Sequence, residues 1–356
     1  MSIWWYVGGV GPGNFSTIQD AVNASYDGDT IFVFNASSPY YGPVVIGKRL
    51  HIIGQDRNTT IVSVTSAAYD TFKIQSDDVI LEGFWIRNVG LLRSGENCII
   101  NEHSNNLTIR DNIITGGFVG INIGDYQYHT RNIVVDSNIV SDCNTAMSLF
   151  ESSNDVITSN KVFGNDYSIM LRSCSPVLFE KNAITENTHG MSMSAVRSAT
   201  IARNRIENNS QGLSIYGWYD YNQNDNIIIE NNTITNNTGV GIALSKVLAI
   251  TIQRNNLSWN TDRALTISIG KQVSVLQNNI LEKKSRFNYF DLLPSRNQVR
   301  FSENYWGDLH RPIKVIVGTW GKAIWGNYWG GKLYLQVPLV KFDLHPAHEP
   351  YPIDSR

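Results

Sequence analysis

Apolar and polar residues alternate along most of this chain in short segments that end at asparagine. Between residues 106 and 306, apolar side chains fall at every second position of each segment, and then come Asn, one variable residue and an apolar or aromatic residue. A period of two is that of β-strands with one buried face. No segment after residue 26 keeps the three-and-four spacing that an amphipathic helix requires, so the pattern predicts strands throughout.

The asparagines recur at intervals of 22 to 28 residues, with a second short strand such as VGINI or TAMSLF between them. The nine positions are Asn112, Asn138, Asn160, Asn182, Asn204, Asn232, Asn255, Asn278 and Asn304. Strands this short bury a core only when successive turns stack about 4.8 Å apart. We therefore predict an all-β fold, a single-stranded right-handed parallel β-helix with a stacked Asn ladder.

The position of the ladder within each turn is also predicted. We expect each ladder Asn to occupy a bend, because Asn tolerates left-handed backbone and bonds its own main chain. One rung earlier, in VILEGFWI, Gly83 is expected to take the ladder place.

The repeats from NLTIRDNII (106–114) to VRFSENYW (299–306) resemble those of the pectin-lyase-like superfamily. They are most similar to the branch of NosD-type periplasmic proteins and carbohydrate-binding and sugar-hydrolase (CASH) repeats. The resemblance implies the β-helix fold, a polysaccharide partner and an extracellular or cell-surface location. It therefore also implies a signal peptide that has been removed. That branch has no invariant catalytic motif that this chain matches.

Three regions are predicted: a lead-in and capping helix (1–30), the β-helix (31–306) and a C-terminal cap (307–356). Ser16, with Gln19 three residues on, is expected to cap a helix that covers the open end of the coil. The cap is rich in aromatic residues and repeats Asn-Tyr-Trp-Gly at 304–307 and 327–330. These aromatic side chains either cover the last rung or form a platform on which sugars stack.

Charge and composition exclude several classes of protein. The 356 residues carry a net charge of −2, whereas binding to nucleic acid needs a basic surface. No apolar run approaches the ~20 residues of a transmembrane helix. Three cysteines on separate rungs are neither a disulfide framework nor a metal cluster. The sequence does not predict the oligomeric state.

A flat strip of small residues is predicted on the outside of the strands that precede the longer loops. Its members are Ile99, Asn122, Ser148, Met170, Ser192, Ser214, Ala243 and Thr266. Such a strip suits an extended polysaccharide, and Asn122, Ser148, Ser192 and Ser214 are the candidate contacts. Two loops, 124–131 and 216–225, carry the aromatic candidates Tyr126, Tyr128, Trp218, Tyr219 and Tyr221. These rings either stack on sugar or fold back on a neighbouring rung.

Acidic residues follow the same strands on consecutive rungs, at Glu102, Asp125 and Glu151. Like charges this close repel one another unless a cation intervenes, so the column is either solvated corner charge or a calcium site. The candidate catalytic residues beside it are Arg172, Arg197, His103 and His129. Uronate-cleaving β-helix lyases, which the chain resembles in fold, use a cation and a base that removes a proton next to the carboxylate.

The resemblance to NosD-type proteins also implies a possible role in copper handling. The soft ligands available are His189, Cys174, Met147, Met170, Met191 and Met193. Met147, Met191 and Met193 fall on inward positions of the repeat, where sulfur more simply fills the core.

Two functional hypotheses follow from the sequence. The chain is an exported module that grips an extended glycan along the corner groove, or it is a lyase, hydrolase or epimerase that uses the same groove on a uronate-containing glycan. Copper handling is a minor third hypothesis. The sequence does not decide whether the protein is an enzyme.

Overall fold

The structure is a computed structural model in two compact units, Met1–His189 and Gly190–Arg356. It describes residues 2–64, 69–89, 96–101, 103–125, 127–217, 224–281, 289–291, 299–307, 314–324 and 333–353. Of residues 269, 289–291, 314–324 and 333–341, the description covers the backbone only. Each unit is a parallel β-helix, which confirms the predicted fold class.

The first unit has three faces of parallel strands and a small two-stranded corner. The first face comprises β4 (Val44–Ile46), β7 (Phe72–Ile74), β10 (Asn97–Asn101), β13 (Val119–Ile123), β17 (Thr145–Phe150) and β21 (Tyr167–Arg172). The second comprises β1 (Trp4–Val7), β2 (Thr30–Val33), β5 (His51–Gly54), β8 (Ile80–Glu82), β11 (Thr108–Arg110), β15 (Val134–Asp136), β19 (Asp155–Thr158) and β22 (Val177–Glu180). The third comprises β3 (Tyr40–Tyr41), β6 (Ile61–Val64), β9 (Trp85–Asn88), β12 (Ile113–Gly116), β16 (Ile139–Ser141), β20 (Lys161–Phe163) and β23 (Ala183–Thr185). The corner pair is β14 (Thr130–Arg131) and β18 (Ser152–Ser153).

Stacking in register places like residues above one another in the core. On the second face the inward column is Ile52, Leu81, Ile109, Val135, Ile157 and Phe179, all fully buried. The short strands of a single rung could not bury such side chains alone. The next rung therefore supplies the apolar surface that covers them.

The Asn ladder of the first unit is confirmed, and it is directional. The backbone N–H of Asn138 donates to Oδ1 of Asn160 at 3.0 Å, and its Nδ2 donates to the same oxygen at 3.1 Å. Asn160 donates in the same way to Asn182, at 2.9 and 3.0 Å. Both asparagines are buried, so the ladder satisfies polar groups that water does not reach.

The expected place of the bend was wrong by one residue. Left-handed backbone occurs at the residue before each ladder Asn, as at Ser137 (φ 57°) and Ser159 (φ 58°). The bend needs positive φ at an outer residue, and the next residue then turns its amide inward. Gly83 accordingly occupies the bend (φ 81°), and Phe84 holds the ladder place that we assigned to Gly83, donating its N–H to Asn112 at 3.1 Å.

A second buried ladder runs five residues after the first, and our reading of the sequence missed it. In the first unit the N–H of Cys143 donates to Asn165 at 2.9 Å, and Asn165 donates to Asn187. In the second unit Asn209 donates to Asn237, which donates to Asn260. The signal was present, because an Asn stands five residues beyond each of five ladder positions.

The second unit repeats this architecture with longer strands. They are β24 (His189–Ser194, which begins at the division), β25 (Ala199–Ala202), β26 (Arg205–Glu207), β27 (Leu213–Tyr216), β28 (Asn224–Glu230), β29 (Thr233–Thr235), β30 (Ile242–Gln253), β31 (Leu265–Leu276), β32 (Tyr289–Asp291), β33 (Val299–Ser302), β34 (Lys314–Ile324) and β35 (Leu333–Asp343). Strands β34 and β35 lie within the predicted C-terminal cap and pair antiparallel.

The ladder of the second unit ends on a carboxylate. It runs through Asn204, Asn232, Asn255, Asn278 and Asn304. Asn304 donates its N–H and its Nδ2 to Asp343 at 3.0 and 3.1 Å, and the Trp306 indole donates to the same oxygen at 3.1 Å. An ionised carboxylate only accepts hydrogen bonds, so it can end a chain of donors without leaving a donor of its own unpaired.

The N-terminal helix α1 spans Ile18–Ala24, and a 3₁₀ turn spans Asn35–Ser37. The predicted cap at Ser16 was wrong: the N-cap is Thr17, whose hydroxyl accepts the N–H of Asp20 at 3.1 Å. Gln19 instead reaches β4, where its Oε1 accepts the N–H of Val45 at 2.8 Å. Within the described ranges, no helix has the length and apolar character that crossing a membrane requires.

Candidate functional site

The outer surface of the first face of the first unit carries the predicted small polar strip. Asn122, Ser148 and Met170 lie side by side on β13, β17 and β21, and each is at least partly exposed. One member was assigned wrongly: Ile99 is fully buried, and its neighbour Ile100 pairs with Asn122. A shift of one residue in a strand exchanges its two faces, which explains the error.

Aromatic side chains border this strip on one side. The rings of Tyr167 and His189 stack with their centroids 4.4 Å apart and their planes 8° apart. Tyr167 pairs with Thr145 at the start of β17 and is 38% exposed. Neither residue was predicted as a glycan contact, although both stand at outer positions of the same strands.

The other side of the strip is bordered by Phe150 and Arg172, which pair across β17 and β21. The guanidinium carbon of Arg172 lies 5.4 Å from the centre of the Phe150 ring, a cation–π distance. The predicted residue Arg172 is therefore placed beside the strip, with its charge over an aromatic face. We call the floor Asn122–Ser148–Met170 with these two flanks the trough.

The loop 124–131 leaves the first face at its Arg172 side. The carboxylate of Asp125 accepts the backbone N–H groups of Gln127 at 2.6 Å and Tyr128 at 3.1 Å, so it shapes its own loop. Tyr128 is 52% exposed, and its ring centre lies 5.4 Å from that of His103. The structure thus brings together His103 and Tyr128, two of the predicted residues.

His129 lies at the same corner, between two side chains of the next rung. Its Nε2 is 3.0 Å from Oγ of Ser153, and its Nδ1 is 3.9 Å from Oε2 of Glu151. The side chains of His129 and Glu151 are 55% and 40% exposed. Our prediction included His129 and Glu151 but not Ser153, because the sequence shows no period that relates Ser153 to a histidine.

A buried carboxyl group supports this corner from inside. Asp155 is 1% exposed, and burial raises its pKa to about 6, although hydrogen bonds from Ser152 and from the N–H of Ile133 act in the opposite direction. Its Oδ2 has no hydrogen-bond partner among the residues that the structure describes. Ser152 also accepts a hydrogen bond from the Thr130 hydroxyl at 2.9 Å, so the turn at 151–155 is held from within.

The calcium site remains a prediction. Across the described residues, no three His, Cys, Asp or Glu side chains converge as metal ligands. Glu102 lies outside those residues. The strand register pairs Asn101 with Ile123, and the residues two positions after these are His103 and Asp125. The position that matches Asp125 is therefore His103, one residue beyond our choice of Glu102.

Three of the candidate methionines fill the core, as expected from their inward positions. Met147, Met191 and Met193 are at most 1% exposed. Cys98, Cys143 and Cys174 are buried and free, and burial raises the pKa of Cys174 to about 12. Met170, in contrast, is 37% exposed, and copper handling stays a prediction.

The remaining predicted residues lie elsewhere. Ser192 and Ser214 of the second unit pair across β24 and β27 and are half-buried. Arg197 of that unit is exposed, and its backbone pairs with that of Asp225 in an isolated parallel β-bridge. Predictions for Glu102, Tyr126, Trp218, Tyr219 and Tyr221 fall outside the described residues.

Comparison with known proteins supports the fold. A sequence profile described as the right-handed β-helix region matches residues 75–224, while no curated protein sequence matches the chain. The A-module of the mannuronan C-5 epimerase AlgE4 of Azotobacter vinelandii superposes with a TM-score of 0.60 at 13% identity, covering 83% of this chain and 100% of that one. PfbA, a surface adhesin of Streptococcus pneumoniae, gives 0.59 at 13% identity, covering 89% and 90%. DFA-IIIase of Arthrobacter chlorophenolicus without its lid gives 0.59 at 12%, covering 85% and 94%.

These matches establish the right-handed parallel β-helix fold. At identities this low, the superpositions show a shared fold and do not show a shared function. The narrower NosD and CASH branch stays a prediction.

Proposed function

We propose that the trough binds an extended glycan. The observation that carries this proposal is a small polar floor, Asn122 and Ser148, between two aromatic flanks on consecutive rungs. Sugar rings present apolar faces that stack on aromatic rings and hydroxyl groups that bond to amides and hydroxyls. Lying along the stacked rungs, which repeat about every 4.8 Å, a glycan would meet Asn122 on one rung, Ser148 and Phe150 on the next, and Tyr167 on the third.

The guanidinium of Arg172 favours an acidic glycan. Arg172 is exposed on one flank, and its guanidinium can pair with a carboxylate while the neighbouring ring of Phe150 contacts the sugar. A glycan containing uronate residues offers both groups. The epimerase named above acts on mannuronan, which supports a polysaccharide as the partner.

The same comparisons support the location. One structural neighbour is a surface adhesin, and we propose that this protein is likewise exported and acts outside the cell or on its surface. Its resemblance to the NosD branch, whose members are periplasmic, agrees with export.

Affinity electrophoresis against soluble neutral and uronate-containing polysaccharides tests the binding. Ser148→Trp should abolish retardation, because a bulky ring fills the floor. Tyr167→Ala should weaken it about 2- to 10-fold through the lost stacking, which is worth about 0.5–1.5 kcal/mol. Tyr41→Ala is the control, because Tyr41 is 61% exposed and lies on the third face. If neither trough variant changes retardation, the trough is not the binding site.

Turnover of the glycan by a lyase, hydrolase or epimerase is the second candidate, and the closeness of Arg172, Glu151 and His129 favours it. The N–H of Glu151 donates to the carbonyl of Arg172 at 3.0 Å, so their rungs are adjacent. Absorbance of unsaturated products from uronate polymers would reveal a lyase, and Arg172→Ala should then abolish the signal while the melting temperature stays unchanged. Calcium should raise that temperature if Asp125 and Glu151 bind it. A melt that neither calcium nor a chelator shifts would contradict the cofactor prediction.

A further inference from the structure

We propose that Ser153, His129 and Glu151 form a hydrolytic trio that cleaves acyl esters, and that its substrates are O-acyl groups of the glycan bound in the trough. The substrate part rests on the function proposed above, whereas the trio itself does not. The geometry carries it: one ring nitrogen of His129 faces a hydroxyl at 3.0 Å, and the other faces a carboxylate at 3.9 Å.

This arrangement follows the logic of a nucleophile, a base and a group that orients the base. If the proton of the neutral ring sits on Nδ1, towards Glu151, then Nε2 carries the lone pair that accepts the hydroxyl proton of Ser153. The distance between Nδ1 and Oε2 is longer than a hydrogen bond. Such contacts are often long in the absence of substrate and shorten when it binds.

The fold assembles the trio from two adjacent rungs. Parallel pairing of β14 with β18 sets Thr130 beside Ser152 and Arg131 beside Ser153. His129, just before β14, is thereby placed against the turn that carries Glu151 and Ser153. The buried hydrogen bond between Thr130 and Ser152 holds this register.

The backbone at Glu151 forms the bend of its rung. Glu151 has a φ of 48°, in the left-handed region, and Ser173, at the same place on the next rung, has a φ of 54°. The bend of the coil therefore accounts for this conformation, and it fixes where the Glu151 side chain leaves the backbone. Asp155 is buried beneath the turn, where its Oδ1 accepts the N–H of Ile133 at 3.1 Å.

The reaction balances with water as the only co-reactant. Ser153 Oγ attacks the ester carbonyl carbon as its proton passes to Nε2 of His129. The bond between that carbon and the sugar oxygen then breaks, and His129 returns the proton to the sugar hydroxyl. Water attacks the acyl-serine with His129 as base, which releases a carboxylic acid and restores Ser153.

The position of the trio beside the trough indicates that its substrate is an ester carried on a polymer. Phe150, on the flank of the trough, directly precedes Glu151 in the chain. His129 and Glu151 are both substantially exposed, so a substituent on a long glycan reaches the corner without entering a deep pocket.

Two probes test the trio without any glycan. An alkyl fluorophosphonate should label the intact protein at Ser153, located by peptide mass mapping, and p-nitrophenyl acetate should be hydrolysed above the buffer rate. Ser153→Ala should abolish labelling and lower hydrolysis by about 100-fold or more, and His129→Gln should do the same. Glu151→Gln should lower hydrolysis less. Ser159→Ala is the matched control, because Ser159 is an exposed serine at another corner of the same rung.

Two results would overturn the trio. The first is an absence of labelling at Ser153 in the wild-type protein. The second is hydrolysis that survives Ser153→Ala but not His129→Gln, since that pattern shows an exposed imidazole acting alone. Failure of the glycan proposal looks different: retardation by polysaccharide would be absent while ester hydrolysis and labelling persist. In that case the trio stands, and its acyl donor is a small ester rather than a polysaccharide.

Discussion

The buried Asn ladder and the His129 corner use polar side chains in opposite ways. Along the ladder, one residue type recurs on each rung, nearly free of solvent, with its donors and acceptors paired. At the corner, His129, Glu151 and Ser153 each occur once and stay partly exposed. The ladder sets register and stability because repetition satisfies buried groups. We expect the corner to contribute little to stability, because the hydrogen bonds of partly exposed side chains compete with water.

Removal of one ladder residue should give the largest effect. Asn182→Ala removes the acceptor of the buried Asn160 N–H and one acceptor of its Nδ2, and it removes the amide that donates to the carbonyl of Ile157. We expect unfolding free energy to fall by about 1–3 kcal/mol, measured by chemical denaturation.

The control for that measurement is an exposed relative of the ladder. Asn106 bonds to Asp78 and Asn132, each at 2.8 Å, on the outside of the coil. Asn106→Gly keeps the left-handed backbone available and should change stability by no more than about 0.5 kcal/mol. Equal losses in Asn182→Ala and Asn106→Gly would show that burial is not what makes the ladder matter.

The same contrast explains what the sequence could predict. A period near 22 residues is visible in one chain, so the strands, the stacked asparagines and the all-β fold followed from it. The errors were local, since Ile99 and Gly83 were each misassigned by one position. A repeat remains visible in the sequence when the alignment of one strand is shifted by a residue, but that shift exchanges the inward and outward positions.

The site could be predicted only in fragments. His129 and Ser153 are 24 residues apart, and their contact depends on the register of β14 and β18, two strands of two residues each. Strands that short leave almost no pattern in a sequence. Tyr167 and Phe150 were missed for a related reason. Their place beside the strip depends on how β17 and β21 pair, and a single strand does not show that pairing in its sequence.

The buried carboxyl group of Asp155, beneath the corner, should make the unfolding free energy depend on pH. Its pKa rises from an ordinary 3.8 to about 6, so the folded state holds the proton more tightly than the unfolded state. Stability from this group is therefore full below pH 4 and is lost as pH rises through 6. Between pH 5 and 7.5 the loss should be about 1 kcal/mol.

Asp155→Asn should remove that dependence, and the difference between the two denaturation profiles is the measurement. The comparison with wild-type protein cancels the titration of the histidines, which change charge in the same interval. Parallel pH profiles for the two proteins would mean that Asp155 is ionised without penalty, which would place water beside its unpaired Oδ2.

The smallest effect should come from the corner itself. Ser153→Ala and His129→Gln remove exposed side chains whose hydrogen bond competes with water, so each should change the unfolding free energy by no more than about 0.5 kcal/mol. Chemical denaturation of these variants and of Asn182→Ala gives the change in unfolding free energy at the corner and at the Asn ladder under the same conditions. A loss above about 1 kcal/mol at the corner would mean that His129 and Ser153 hold the loop 124–131 to the coil. The corner would then be a structural joint of the same kind as the ladder, and the spacing of its three side chains would have a packing explanation. A neutral result, together with loss of fluorophosphonate labelling in the same variants, separates chemistry from stability at this corner.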